Sequence, residues 1–356
     1  MIQSYGWSDA LQQAFARFAA EGLLPGRVVV QQRGLYGLVT DAGELAAQIS
    51  GRLAHEAESG GYPAVGDWVA AAARPAEHAA TIHAVLPRRT AFVRKAAFTT
   101  ATEQVVASNV DVALLVASMN ADLNARRLER YLAAAWQSGA RPVVVLTKCD
   151  LAEDAEAEIA EAEAVAFGAP VLAVSALTGE GLDALAEHLR PAETAVLVGS
   201  SGVGKSSLVN ALAGEELMAT AAIREADAHG RHTTTHRELI RLPSGALILD
   251  TPGMRELGLI DAGDGLSATF EDIEALAETC RFADCGHGNE PGCAVREAIE
   301  NERLDPGRWK SFQKLQRELA HQERKEDRVA REAYRRHWIG VHKAARAHVK
   351  SKRGEW

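Results

Sequence analysis

The sequence predicts an α/β protein in three parts: an N-terminal β-barrel, a central doubly wound α/β sheet, and a C-terminal helical region carrying a metal-ligand cluster. Three observations predict it. Five short apolar runs, separated by turn residues, crowd the first part of the chain. From Val110 onward, buried-type strands alternate with amphipathic helices. Cys280, Cys285, His287 and Cys293 then fall within fourteen residues, ahead of a basic helical tail.

The chain has 356 residues, 47% hydrophobic and 24% charged, the balance of a globular protein with room for two or three cores. No apolar run reaches membrane-spanning length, and the stretch from Met1 to Phe15 lacks a basic segment followed by an apolar one. A cytoplasmic protein is the expectation, and a monomer. Net charge is −9, which argues against uniform attraction to nucleic acid. Its distribution says more. Residues 307–356 hold fifteen Lys and Arg against six Asp and Glu, a local +9 that leaves the rest at −18. An acidic body with a basic tail points to an anionic partner at one end.

A helix is predicted over Asp9–Ala20, then strands over Arg27–Gln31, Leu35–Thr40, Leu45–Ile49, Asp67–Ala72 and Ala80–Val85. Five short strands suit a small barrel over residues 1–105, with the OB type as one candidate. In residues 106–262, strands at Val110–Ser118, Pro142–Thr147, Val171–Val174 and Thr194–Val198 alternate with helices at Arg126–Ser138, Glu153–Val165, Gly181–Leu189 and Lys205–Ala213. Glu238–Leu242 and Ala246–Asp250 close the set as a hairpin-like pair. Residues 263–356 read as helices broken by the Cys/His stretch.

Gly199-Ser200-Ser201-Gly202-Val203-Gly204-Lys205-Ser206-Ser207 lies between an apolar strand and a helix. This is G-x-x-x-x-G-K-[ST], the phosphate-binding loop. Its glycines let backbone N–H groups turn toward phosphate oxygens, Lys205 adds a positive charge at the β/γ-phosphates, and the Ser206 hydroxyl is a ligand for Mg²⁺.

Such a loop does not separate ATP from GTP. Thr147-Lys148-Cys149-Asp150, at a strand end, does. Guanine offers N1–H and N2–H₂ on one edge, and a single carboxylate, Asp150, accepts both. Adenine has no such donor pair and leaves the carboxylate unpaired. The Lys148 stem covers the base face, and Ser175-Ala176-Leu177 places a backbone N–H near guanine O6. A lone T-K-x-D reads as a helix cap; beside the phosphate loop and S-A-L triplet it reads as a guanine site. Cys149 fills the variable position as a small hydrophobe.

Asp250-Thr251-Pro252-Gly253 follows an apolar strand. Asp250 suits Mg²⁺, and the Gly253 N–H suits the γ-phosphate. Gly230-Arg231-His232-Thr233-Thr234-Thr235 is a polar loop, from which Thr234 is the favoured threonine to close onto Mg²⁺ and the γ-phosphate. After Gly253, where a water-orienting Gln often stands, this chain has Met254, which cannot orient water. His232 is the nearest candidate for that task, and reads equally as a surface residue of the loop. The candidate catalytic set is thus Lys205, Thr234 and His232.

Three thiolates and one imidazole, Cys280-x4-Cys285-x-His287-x5-Cys293, form a closed set of the kind that holds structural zinc, with no position left for water. In the tail, Arg335-Arg336-His337-Trp338 and Lys350–Arg353 are candidate phosphate contacts with Trp338 as a stacking surface, and by themselves read equally as a solvated helical face.

The order of motifs is base reader, phosphate loop, then switches, whereas ordinary small GTPases carry the phosphate loop first. The permuted order together with the Cys/His spacing resembles the RsgA (YjeQ/EngC) family of ribosome-assembly GTPases over nearly the whole chain. The resemblance implies an OB-fold N-terminal domain, a circularly permuted GTPase domain, a zinc domain, and GTP/GDP and Mg²⁺ as ligands. It also implies binding to the small ribosomal subunit and its rRNA in late maturation, with hydrolysis stimulated by the subunit. The residues alone leave two other readings: a GTP-sensing RNA-binding module, and a GTPase serving another complex such as a metal-inserting or tRNA-modifying partner.

Overall fold

The structure, a computed structural model, describes residues 1–32, 34–57, 61–95, 103–119, 123–218, 237–250, 263–288 and 290–320. After a short 3-10 turn (Ile2–Tyr5), Ser8 caps α1 (Asp9–Ala19) by accepting the Leu11 N–H. β1 (Leu24–Gln32), β2 (Leu35–Thr40), β3 (Gly43–Ile49), β4 (Trp68–Arg74) and β5 (Ala79–Val85) follow. They pair in the order β1-β2-β3-β5-β4, and β4 returns to β1. The barrel is closed, with β3 and β5 parallel and the other pairs antiparallel. This is an OB-like barrel, as expected.

Between β3 and β4, Ser50 caps α2 (Gly51–Glu56), which places Leu53 in the same core as Val28, Leu38 and Ile82. Six residues carry no readable periodicity, so this helix is absent from the sequence reading. On the outside of the barrel, Trp7, Phe15 and Phe18 close over Trp68 and Leu86, with the Trp7 and Trp68 rings 4.8 Å apart, edge to face.

A hairpin of β6 (Ala91–Lys95) and β7 (Glu103–Ser108) leads into the central sheet. The expected domain boundary after residue 105 falls inside β7. β8 (Val112–Ser118), α3 (Ala125–Ser138), β9 (Arg141–Thr147), α4 (Ala155–Glu163), β10 (Val171–Val174), α5 (Leu182–Glu187), β11 (Thr194–Val198), α6 (Lys205–Ala213), β12 (Arg237–Arg241) and β13 (Leu247–Asp250) follow. β10-β9-β8-β11-β13 are parallel, and β12 closes that set antiparallel to β13. Every residue of β8 and β11 is buried, as strands covered on both faces require.

One edge of β1 serves two partners. Leu24–Arg27 pair with β4 to close the barrel, whereas Val30 and Gln31 pair with Glu238 and Arg237 of β12. The barrel and the central sheet thereby form one eleven-stranded sheet. Arg27 reinforces this seam. Its buried guanidinium donates to the carbonyls of Tyr5 and Asn109 and to Thr194 Oγ1 at the start of β11, and lies 5.1 Å from the Trp68 ring. Burial draws its pKa down to about 10, so it remains a cation at neutral pH.

α7 (Gly263–Thr269), α8 (Glu271–Glu278), α9 (Ala294–Glu300) and a helix over 306–320 form the C-terminal part. Leu266, Phe270, Ile273, Val295, Phe312 and Leu315 pack there with Ala133 of α3. The approach is close: a Cβ on Gly265 would stand 2.2 Å from the Ala133 carbonyl oxygen. Beside this contact Arg308 donates to Glu129 of α3, to both carboxylate oxygens of Asp272 and to the Thr269 carbonyl. Glu129 is fully buried, and burial pushes its carboxyl pKa up against the pull of Arg126 and Arg308. Replacing Arg308 by Met is expected to leave Asp272 unpaired and Glu129 with Arg126 alone, and to lower unfolding free energy by about 3 kcal/mol. Urea denaturation measures this, and a loss below about 1 kcal/mol would show that the network does not hold the C-terminal part in place.

Candidate nucleotide site and candidate metal centre

The parallel strands deliver the sequence motifs to one edge of the sheet. β9 ends on Thr147, β10 leads to Ser175, β11 leads to Gly199, and β13 ends on Asp250. Ligands of open α/β sheets bind outside the carboxyl ends of the strands, where the Thr147–Asp150 loop, the Ser175 turn and the phosphate loop stand and where the β13 backbone ends at Asp250.

The phosphate loop turns between β11 and α6. Gly199 passes so near β8 that a Cβ would lie 2.3 Å from the Val116 carbonyl oxygen. Gly202 and Gly204 have φ of 84° and 92°, the left-handed region in which side chains are strained. Val203 between them is buried and anchors the loop in the core. Ser201 and Gly202 form the outer turn, with Ser200 leading into it. The Lys205 ammonium reaches back over the loop to the carbonyls of Gly199 (2.8 Å) and Ser200. Ser206 and Ser207 occupy the first turn of α6, whose N-terminal N–H groups and dipole favour an anion.

The Thr147–Asp150 loop is stitched to this loop. The buried Thr147 hydroxyl donates to the Val203 carbonyl at 2.5 Å, and Lys148 Nζ donates to the Gly202 carbonyl at 3.0 Å. Lys148 holds a left-handed φ of 61°, which starts the short turn Cys149–Leu151 and leaves Asp150 exposed on it. Cys149 is half-buried, its thiol pKa raised by burial and by Glu180. The buried Ser175 hydroxyl accepts the N–H groups of Leu177 (3.3 Å) and Thr178 (3.1 Å), fixing the Ser175-Ala176-Leu177 turn. Gly181 lies behind it, with φ 73° and no room for a Cβ against the Ala173 carbonyl oxygen. The sequence reading assigns Thr147 to the motif without the tether. Its partner, a main-chain carbonyl 56 residues away, has no sequence signal.

His232, Thr234, Gly253 and Met254 lie outside the described residues, as do Arg335, Arg336, His337, Trp338 and 350–353. β13 does end at Asp250, beside β12.

The structure brings Cys280, Cys285, His287 and Cys293 together, their ligand atoms all within 4.8 Å of one another. His287 Nδ1 stands 3.6 Å from Cys280 Sγ and 3.5 Å from Cys293 Sγ. Zinc bound tetrahedrally, at about 2.3 Å by sulfur and about 2.05 Å by nitrogen, requires S···N separations of about 3.6 Å. The donor set therefore fits zinc. Local structure supports it. His287 adopts φ 55°, Glu290 accepts the N–H groups of Gly286 and Gly288, and the His287 ring meets Trp309 edge-on at 5.5 Å. Cys293 caps α9, accepting the Arg296 N–H. The thiols compete for charge. Cys280 is lowered, its burial outweighed by N–H groups of Val295 and Ala294; Cys285 is pushed up to about 11, the His287 N–H being outweighed by burial and by Cys293 and Cys280. A divalent cation relieves that competition.

Among the described residues, no helix is long and apolar enough to cross a membrane. The sequence model of the family described as RsgA GTPase matches residues 85–260. The chain is 47% identical to the small ribosomal subunit biogenesis GTPase RsgA of Opitutus terrae, covering all of this chain and 99% of that protein. It is 46% identical to the protein of the same name from Streptomyces coelicolor, over 99% and 96% of the two chains. The crystal structure of YjeQ from Thermotoga maritima superposes with a TM-score of 0.61 at 26% identity, covering 84% of this chain and 99% of that one. The structure of YloQ, described as a circularly permuted GTPase, shares the fold with a TM-score of 0.57 at 24% identity, over 84% and 96%. Permuted motifs gathered on one sheet edge, a closed barrel ahead of them, a Cys₃His cluster behind them and full-length relatedness have one reading: the chain belongs to the RsgA family of circularly permuted GTPases.

Proposed function

We propose that this GTPase acts in late maturation of the small ribosomal subunit, that the subunit stimulates its hydrolysis of GTP, and that the GTP or GDP state controls association and release. The observation that carries the nucleotide part is the stitching of Thr147 and Lys148 to the phosphate loop, which joins a guanine reader to a phosphate cradle. The partner follows from the names of full-length relatives.

In this reading Asp150 accepts the two guanine donors, the Lys148 stem covers the base, and the turn held by Ser175 offers a backbone N–H of Ala176 or Leu177 to O6. Cys149 lines the turn. The N–H groups of residues 200–206, from a loop shaped by Gly199, Gly202 and Gly204, hold the phosphates with Lys205. Magnesium, when bound, neutralises charge developing on the phosphates. Ser206, Asp250 and Thr234 are assigned to it, and the Gly253 N–H to the γ-phosphate. Ser207 and Val203 shape the loop. Because Met254 offers no polar group, His232 is assigned to orient the attacking water. Cys280, Cys285, His287 and Cys293 hold a structural zinc. The basic tail meets ribosomal RNA.

GTP turnover measured with and without purified subunits tests this. Turnover is expected to rise at least about tenfold with small subunits and not with large ones; no rise with either would remove the ribosomal partner. In the same assay His232→Ala should lower stimulated kcat by about 10²-fold with GTP affinity retained. Unchanged turnover would sink the water-orienting role.

A further inference from the structure

The strand pairing between barrel and central sheet is slender. β1 meets β12 at Val30 and Gln31, and just before those pairs the register of β1 against β2 slips between Val28 and Val30, the mark of a bulge. A bulge bends its strand and raises its twist, so a short pairing beyond one leaves the angle between barrel and sheet open to several values. A second contact acts as a pivot. The Ser108 N–H donates to the Val65 carbonyl (3.2 Å) and Asn109 Nδ2 to the Gly66 carbonyl (3.0 Å), with Gly66 so close that a Cβ would lie 2.1 Å from the Ser108 carbonyl oxygen.

Arg27 spans from this pivot to the sheet. It stands on the barrel side of the bulge, opposite Val39 and Trp68, and is 2% exposed. Nη1 donates to the Tyr5 carbonyl, and Nη2 to the Asn109 carbonyl (3.3 Å) and to Thr194 Oγ1 (3.0 Å). One group thus holds the N-terminal turn, β1, the β7–β8 junction and the first residue of β11. Gly6 completes the fit: with φ 89°, its Cβ would stand 2.9 Å from the Ala192 carbonyl oxygen and 3.2 Å from Arg27 Nη1. No carboxylate bonds Arg27 among the described residues. Asp67 is taken by Arg88, and Asp111 by Arg89 and the Thr194 N–H, so both act on Arg27 through space alone. Its Nε is buried with no partner. For stability this is a poor choice, because a desolvated cation without a carboxylate is costly and apolar replacements of buried charges are often neutral or stabilising. Its merit is direction: three donors aimed at three acceptors are satisfied together at one barrel angle.

We propose that Arg27 is an orientation lock, which holds the barrel at one angle to the central sheet so that the two move as one body whether GDP or GTP is bound. The lock serves specificity of arrangement rather than stability. Thr194 opens β11, the strand that runs to the phosphate loop at Gly199, so the barrel is registered against the strand that carries the phosphate cradle. A partner that touches the barrel and the nucleotide edge together therefore meets one fixed geometry.

Spin labels carried on noncanonical residues at Ala76 of the barrel and Glu161 of α4, both exposed, report the angle as a distance in the full-length chain. Double electron–electron resonance is recorded without nucleotide, with GDP, and with a non-hydrolysable GTP analogue and Mg²⁺. The unaltered chain is expected to give one narrow distribution whose mean moves by less than about 3 Å between the two nucleotides. Arg27→Met should widen the distribution at least about twofold, with GDP affinity within about twofold and melting temperature within about 5 °C of the starting protein. Widening without loss of stability is the result that a merely structural arginine does not give. Thr194→Val removes the acceptor on β11 and should also widen the distribution, and the double variant should be no wider than Arg27→Met. If Arg27→Met does not fold, Thr194→Val alone decides. Unchanged widths, a mean shift beyond about 3 Å between nucleotides in the unaltered chain, or widening only alongside a larger loss of melting temperature would each overturn the proposal. Failure of the unaltered chain to bind guanine nucleotide would remove the nucleotide reading instead, and the widths recorded without nucleotide would still decide the role of Arg27.

Discussion

Stripping the metal from Cys280, Cys285, His287 and Cys293 should unfold the C-terminal helices while guanine-nucleotide binding persists. The four ligands are drawn from the end of α8, the loop after it and the cap of α9, and α9 and the helix over 306–320 pack against one another through Val295, Phe312 and Leu315. Without the cation three thiols face one another, and Cys285, pushed up to about 11, holds its proton at neutral pH. Structural zinc contributes about 10–16 kcal/mol of apparent binding free energy in small domains, more than such a helical unit retains alone. Treatment with a strong zinc chelator, or Cys280→Ser, is therefore expected to remove the helical circular-dichroism signal of residues 263–320 and open that region to protease. GDP affinity should change less than about threefold, because the nucleotide motifs sit on strands buried in separate cores. Intact protection at zero metal content would refute a structural metal. Loss of GDP binding alongside it would show that α3, which carries Ala133 and Glu129, transmits the damage.

The second large effect is on nucleotide identity. Asp150→Asn keeps the shape of the side chain on the turn Cys149–Leu151 but replaces one carboxylate oxygen by a donor. Two charge-assisted hydrogen bonds to guanine are then lost or reversed, at about 1.5–3 kcal/mol each, so GDP affinity should fall by at least about 10²-fold. Xanthine carries a carbonyl where guanine carries N2–H₂, and the new amide donates to it. Competition titrations with GDP and xanthosine diphosphate should therefore show the preference inverted. An Asp150→Asn protein that binds GDP as before would mean that another group reads the base.

The parts of this site that the sequence makes legible are local. The phosphate loop, the Thr147–Asp150 turn and the Cys/His set each occupy a few consecutive residues whose chemistry depends on spacing, and the structure puts each set on one turn or around one point. Strand ends are legible to a residue or two, because β8, β9 and β11 are continuous apolar runs. What the sequence does not disclose is partnership. Alternation shows that a strand has a buried face, not which strand lies beside it. Nothing in Val30 or Gln31 points to Glu238 and Arg237. The two buried arginines are hidden for the same reason: Arg27 finds Thr194 and Arg308 finds Glu129 across 167 and 179 residues of chain. The β6–β7 hairpin escapes because Arg94-Lys95 and Glu103-Gln104 break its short apolar runs before they show an alternation.

The divided edge of β1 has a consequence for how the chain is made. The barrel can close as soon as β5 has left the synthesis machinery, since every one of its strand partners lies within the first 85 residues. The outer half of β1, at Val30 and Gln31, finds its partner only when β12 emerges, which at ordinary elongation speeds is roughly 10–30 s later. For that interval a finished barrel displays an open strand edge. The residues left waiting there include Gln31 and Gln32 rather than a run of apolar side chains, so the growing protein can hold that edge in water until its own distant segment arrives to claim it.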